Sequence, residues 1–324
     1  MKRNVIVGQS GGPTAAINSS LAGVYRTAKD RGAQKVYGML HGVQGLLEEN
    51  YIDLADHIKT ELDVELLKRT PAAFLGSCRY KLPEIHENRE VYDKIFEILE
   101  KLDIEAFIYI GGNDSMDTIK KLSDYAIITG FSTRFIGCPK TIDNDLALTD
   151  HTPGYGSAAK YIGTSMKEII RDSFCLETEN GIVTIVEIMG RNAGWLTGSA
   201  ALSMGEDCEG PDMIYLPEIT FDVRNFGERV KKLLEKKTSI VVAVSEGIRT
   251  EDGTYVCELG NNIDFVDAFG HKQLSGTASY LASYIAGELG CKTRAIELST
   301  LQRSASHADP VWTSWKLTRL AVRL

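Results

Sequence analysis

Long apolar runs are missing from this 324-residue chain: stretches such as Ser239–Val244 fall far short of the roughly 20 residues that cross a bilayer. Met1-Lys2-Arg3 passes straight into a short apolar pattern with no small-residue cleavage site, so a secretory leader is not expected. Cysteine is sparse. The six, at 78, 138, 175, 208, 257 and 291, show neither close pairing nor zinc-ligand spacing, which points to reduced thiols in the cytoplasm. Positive charge is in deficit, with 36 Lys+Arg against 44 Asp+Glu and a formal net charge of −8, which argues against a general nucleic-acid binder. An anionic small substrate then needs a local basic cluster. Familiar nucleotide signatures are absent too. The chain has no GxxxxGK[ST] loop and no HRD or DFG kinase pieces. Gly154-Tyr155-Gly156-Ser157 only half-matches a dinucleotide fingerprint and follows no convincing strand.

What is present is a recurring unit of short apolar strand, glycine-rich or polar turn, then helical pattern. Residues 4–8 lead into Gln9-Ser10-Gly11-Gly12-Pro13-Thr14 and a helix to about Lys29. Residues 106–110 lead into Gly111-Gly112-Asn113-Asp114-Ser115 and a helix to about Asp124. Residues 134–137, 182–188 and 239–244 end at Cys138-Pro139-Lys140-Thr141, Met189-Gly190-Arg191-Asn192-Ala193-Gly194 and Ser245-Glu246-Gly247. The stretch from Leu46 to Leu102 is charged and helical in pattern. Strands alternating with helices predict an α/β protein of mainly parallel sheets flanked by helices, and the length suggests two such domains or one large domain with a deep cleft. Ligands of such sheets sit beyond the carboxyl ends of the strands, so these loops are expected to converge on one cleft.

Two of these turns suit phosphate. Ser10-Gly11-Gly12 and Gly111–Ser115 each follow a strand and open a helix, where glycine lets the backbone approach an anion and the helix start supplies free N–H groups. A tight turn needing positive φ is the plainer alternative. In Pro139-Lys140-Thr141-Ile142-Asp143-Asn144-Asp145, an extended backbone would aim Asp143 and Asp145 to one side, one carboxylate for proton transfer and one for a metal, beside the Lys140 charge. An Asx-rich surface turn is the competing reading. Arg191 and Glu246 suit a phosphate and a hydroxyl, and Arg294 with Arg303, nine residues on, suits a second phosphate; each is equally compatible with a solvated face.

Taken in order, SGGP (10–13), GSCRYK (76–81), GGNDS (111–115), PKTIDND (139–145), MGRNAGW (189–195), SEG (245–247) and an R-x8-R ending in LQR (301–303) resemble the phosphofructokinase family, and specifically its pyrophosphate-dependent branch. The resemblance runs from about Val5 to His307. It implies two α/β domains with the active site in the cleft between them: a phosphoryl-donor domain of residues 1–155, with roughly 285–324 returning to it, and a sugar-phosphate domain of residues 156–284. It also implies transfer of a phosphoryl group to the 1-hydroxyl of fructose 6-phosphate. Asp143 would be the general base, with Lys140, Asp114 and Arg191 as its catalytic neighbours. Gly11, Gly12, Arg79, Gly112 and Ser115 would bind the donor. Thr141, Asp143, Met189, Gly190, Arg191, Glu246, Arg294 and Arg303 would bind the sugar phosphate, and Asn113 and Asp145 would adjoin Mg2+. A cytoplasmic glycolytic enzyme, a homodimer or homotetramer, is implied as well.

ATP-using members of the family carry glycine at the positions of Asp114 and Lys140. An acid at 114 would meet the α-phosphate of ATP, a like-charge contact worth ~1–4 kcal/mol at ~4 Å, and Lys140 would neutralise the transferring group; pyrophosphate is the expected donor. Asn113 replaces the aspartate of many relatives, and Ile182 stands where ATP-using bacterial members place an arginine serving the neighbouring subunit. Ala308–Leu324, with two of the three tryptophans, resembles nothing in the family and is expected to be a truncated or frame-shifted end. The alternatives are an ATP-dependent 6-phosphofructokinase and an inactive, truncated sugar-phosphate-binding paralogue.

Overall fold

The computed structural model describes residues 4–176, 180–260 and 274–304; the atypical segment after His307 lies outside them. The chain forms two compact units, one of residues 1–142, 151–156 and 303–324, the other of residues 143–150 and 157–302.

The first unit is built on a five-stranded sheet of β1 (Asn4–Gln9), β2 (Val36–Met39), β3 (Tyr51–Asp53), β4 (Ile104–Gly111) and β5 (Arg134–Pro139), in the order β3-β2-β1-β4-β5. Only β3 runs antiparallel. Side chains alternate across the sheet, as strand geometry requires. Val5, Val7, Ala106, Ile108 and Ile110 enter one core, with α1 (Ile17–Asp30) and α3 (Glu61–Arg69) packed over it. Ile6, Phe107 and Tyr109 enter the other, covered by α2 (Gly42–Leu47), α4 (Arg89–Lys101) and α5 (Asn113–Thr129). Both faces are therefore buried, which explains why β1 and β4 are nearly continuous apolar runs. The Leu46–Leu102 stretch is less helical than its composition suggests: it contains β3, and residues 70–88 form an extended irregular loop between α3 and α4.

The second unit carries a four-stranded parallel sheet, order β7-β8-β6-β9, formed by β6 (Ile182–Ile188), β7 (Met213–Tyr215), β8 (Ser239–Ser245) and β9 (Lys292–Glu297). On one face Val183, Ile185, Val242 and Val244 pack against Phe226 and Val230 of α8 (Val223–Leu234) and Leu281 and Ile285 of α9 (Thr277–Leu289). From the other side comes α6 (Tyr155–Phe174), where Ser173 bonds the Thr184 hydroxyl at 2.8 Å. Ile182, the first residue of β6, is fully buried. The turn after β6 gives only α7 (Trp195–Gly198), a single helical turn continued by a 3-10 segment to Ser203, rather than a full crossover helix.

All six cysteines are unpaired, and only Cys175 is exposed. Among the described residues no helix is long and apolar enough to cross a membrane.

Candidate active site

Parallel pairing brings the donor-type loops together within the first unit. Gln9 of β1 lies beside Ile110 of β4, and Gly111 beside Pro139 of β5, so the three strands discharge their turns at one sheet edge. Ser10 donates its N–H to Ile110 O at 2.9 Å, and its hydroxyl makes a short hydrogen bond with Ser115. Gly11 sits at φ +75°, a left-handed conformation that a side chain would strain. Lys140 is 4% exposed, and its ammonium donates to Gly12 O at 2.6 Å while its N–H bonds Gly111 O at 2.9 Å. A buried lysine is rare unless paired. Here one residue, through its ammonium and its backbone N–H, ties the SGGP and GGNDS turns to the end of β5. Arg303 joins them, since a Cβ on Gly12 would lie 2.5 Å from its Nη1 and its carbonyl accepts Ala15 N–H at 2.8 Å.

Gly112 caps the start of α5 with no side-chain bond of its own, and Asn113 and Asp114 occupy the first turn, Asn113 exposed and Asp114 half-buried. An acid in that turn is favoured by the helix dipole. Arg79 is exposed on the loop whose Ser77 hydroxyl donates to Gly11 O at 2.6 Å. Thr141 ends the set, its carbonyl accepting the Thr152 hydroxyl at 2.7 Å.

The second unit holds the other constellation. Ile188 of β6 pairs with Ser245 of β8, which sets Met189-Gly190-Arg191 beside Glu246-Gly247. Gly190, at φ +135°, turns the chain so that its N–H faces Glu246 Oε1 at 3.4 Å while its carbonyl accepts the Ser245 hydroxyl at 2.5 Å. Met189 N–H donates to Gln302 Oε1 at 3.2 Å. Burial pushes the Glu246 carboxyl up to about 7; the like charges of Glu187 and Asp143 add to this, and the Gly190 N–H and the Arg191 guanidinium oppose it. Asp143, Glu246 and Arg191 are thus electrostatic neighbours. Asp145 is exposed.

The two aspartates do not share a face through strand alternation. Asn144 between them adopts φ +57°, its amide donating to Asp150 O at 3.1 Å, so the segment is a turn in which Asp143 is half-buried and Asp145 faces solvent. A left-handed residue between two others cancels the period-two geometry. Arg294 lies in the body of β9, opposite Thr184, and pairs with Asp172 at 2.6 Å. Arg303 belongs to the first unit and Arg294 to the second.

Glu187 went unnoticed in the sequence, although one acid inside an apolar strand was the available signal. It is 5% exposed, and its Oε2 accepts Ala278 N–H at 2.9 Å at the start of α9, whose own cap, Gly276, supplies no side chain. A strand residue therefore performs the capping that orphan helix N–H groups require. Burial still pushes its carboxyl up to about 7, with Glu297 adding and the backbone N–H groups of Ala278, Gly276 and Thr277 opposing. A carboxyl whose pKa is raised on folding stabilises fully below its ordinary 4.5 and loses that contribution as pH rises through about 7, a swing of about 3 kcal/mol. Glu187→Gln should flatten the fall in unfolding free energy from urea titrations between about pH 4.5 and 7 by that amount. An unchanged slope would show that Glu187 does not titrate there.

Among the described residues no three His, Cys, Asp or Glu side chains form a cage for a metal.

The phosphofructokinase family model matches residues 4–309. The chain is 41% identical over 304 residues to the pyrophosphate–fructose 6-phosphate 1-phosphotransferase of Xanthomonas campestris pv. campestris, covering 94% of this chain and 71% of that protein. It is 41% identical over 309 residues to the enzyme of the same name from Rhodospirillum rubrum, covering 94% and 74%. The crystal structure of the pyrophosphate-dependent phosphofructokinase from Nitrosospira multiformis is similar with a TM-score of 0.85 and 33% identity, over 99% of this chain and 76% of that one. With two α/β units whose strand ends carry these loops in this order, the chain belongs to the phosphofructokinase family.

Proposed function

We propose that this protein is a diphosphate–fructose-6-phosphate 1-phosphotransferase: it moves a phosphoryl group from pyrophosphate to the 1-hydroxyl of fructose 6-phosphate, reversibly, giving fructose 1,6-bisphosphate and phosphate. The observation that carries the donor assignment is Lys140, a buried cation bonded to Gly12 O at the meeting point of three strand-end turns, with Asp114 in the first turn of α5. The naming of relatives at 41% identity agrees.

In this reading the Gly11, Gly12, Gly112 and Ser115 turns and Arg79 bind pyrophosphate, and Lys140 offsets charge on the group in transfer. Such transfer depends mainly on positioning and charge stabilisation. Asp143 takes the proton from the sugar hydroxyl. Thr141, Met189, Gly190, Arg191, Glu246, Arg294 and Arg303 hold the sugar phosphate. Asp145, an exposed carboxylate, and the exposed Asn113 would hold magnesium, which would supply positive charge beside the phosphate groups. Raised pKa suits Glu246 to this work, since a carboxyl that is neutral near pH 7 can donate as well as accept a hydrogen bond to a sugar hydroxyl. Donor binding by the first unit and most sugar-phosphate contacts by the second, in which residues 285–302 lie rather than returning to the first, a homodimer or homotetramer, and a place in cytoplasmic glycolysis complete the proposal; six unpaired thiols suit a reducing compartment.

Donor choice is tested at Asp114. Removing its charge by Asp114→Gly should raise kcat/KM for ATP by about 5-fold or more, the fold-change equivalent to the lower end of the ~1–4 kcal/mol contact. No gain with ATP would mean that the carboxylate plays no part in excluding the nucleotide.

A further inference from the structure

We propose that the buried amide pair Gln9–Asn18 is the positioning device of the pyrophosphate-binding loops, holding the segment that carries Ser77 and Arg79 against the end of β1 and the first turn of α1. This rests on the donor-site reading above and adds two residues that touch no substrate.

Both side chains are 0% exposed. Gln9 Nε2 donates to Asn18 Oδ1 at 2.9 Å and to Ile17 O at 3.2 Å, while Gln9 Oε1 accepts Leu75 N–H at 2.9 Å. Asn18 Oδ1 also accepts Phe74 N–H at 2.8 Å, and its Nδ2 donates to Thr70 O at 3.0 Å. Two amides thus hold three backbone groups of the loop between residues 70 and 75. No apolar pair could do this, because the loop backbone is irregular and its polar groups need partners. From that anchor the chain reaches the donor turn within a few residues. Ser77 donates to Gly11 O at 2.6 Å, and Cys78 O accepts Gly11 N–H at 3.3 Å. Gln9 directly precedes Ser10-Gly11-Gly12, so the pair fixes both sides of the turn from beneath: its strand and its neighbouring loop. Displacements of about 1 Å in groups that orient a substrate can cost two orders of magnitude in rate. Every backbone group the pair holds lies in the loop that leads to Ser77 and Arg79 beside the donor turn, so the effect is expected on pyrophosphate.

Asn18→Ala is expected to raise KM for pyrophosphate about 10-fold while KM for fructose 6-phosphate stays within about twofold, in assays with magnesium. In the same variant the amide protons of Phe74 and Leu75 should exchange faster than their neighbours in α1. Ser77→Ala, at a half-buried position, removes the next link and should shift KM for pyrophosphate in the same direction even if Asn18→Ala does not fold. Equal changes in both KM values, or an unchanged KM for pyrophosphate in both variants, would overturn the proposal. Were the wild-type chain not to use pyrophosphate, the donor reading would fail on that result alone, and unaltered exchange at Phe74 and Leu75 would separately refute the anchoring.

Discussion

Asp143→Ala is expected to abolish turnover by about 10²–10⁴-fold, the usual contribution of a positioned base, while fructose 6-phosphate still binds within a few-fold of the parent chain. The side chain lies close enough to Glu246 to raise that carboxyl, in a turn fixed by the left-handed Asn144 and its bond to Asp150 O. Neighbouring carboxylates of like charge favour proton uptake by one of the pair. Removing Asp143 also removes one of the influences that raise Glu246, so the variant should show a lower Glu246 pKa by carbon-detected titration. Substantial turnover in Asp143→Ala, with kcat within tenfold, would transfer the base role elsewhere, Glu246 being a carboxyl within its electrostatic reach.

Lys140→Met should carry the second-largest effect, a loss of about 10²–10³ in kcat with pyrophosphate, the range seen when one preorganised charge-stabilising donor is removed. Methionine keeps much of the length and the apolar stem but leaves Gly12 O without the ammonium that bonds it at 2.6 Å. A half-buried carbonyl left without its donor is destabilising by up to about 1–3 kcal/mol, so thermal unfolding should be measured beside activity. The two effects are separable: a variant that unfolds cooperatively near the parent midpoint but turns over poorly shows the catalytic contribution. A kcat within threefold of the parent would confine Lys140 to holding the loops.

The fold was legible because its signals are local. Continuous apolar runs such as Val5–Val7 and Ala106–Ile110 report strands buried on both faces, and glycines directly after them report turns at strand ends. Those cues placed the loops that parallel pairing then sets side by side within each sheet. Features decided by non-local contacts were not legible. Alternation along Asp143-Asn144-Asp145 assumes an extended backbone, and the left-handed Asn144 removes that assumption. Glu187 looks like a stray acid in a strand until α9, some ninety residues on, presents uncapped N–H groups to it. Gln9 and Asn18 look like ordinary helix-flanking amides, and only the return of residues 70–75 gives them partners. Helix lengths slipped for a related reason: α5 continues to Thr129, where Gly130 at φ +71° ends it, beyond the point at which its apolar periodicity fades.

The central claim is that the chain spends pyrophosphate rather than ATP on the 1-hydroxyl of fructose 6-phosphate. The direct measurement is fructose 1,6-bisphosphate formation by the purified protein with magnesium and fructose 6-phosphate, pyrophosphate against ATP at equal concentrations. Turnover with pyrophosphate at least tenfold above that with ATP is the expected result, in accord with Asp114 in the first turn of α5 and the buried Lys140. Turnover with ATP alone would contradict it and reassign both side chains.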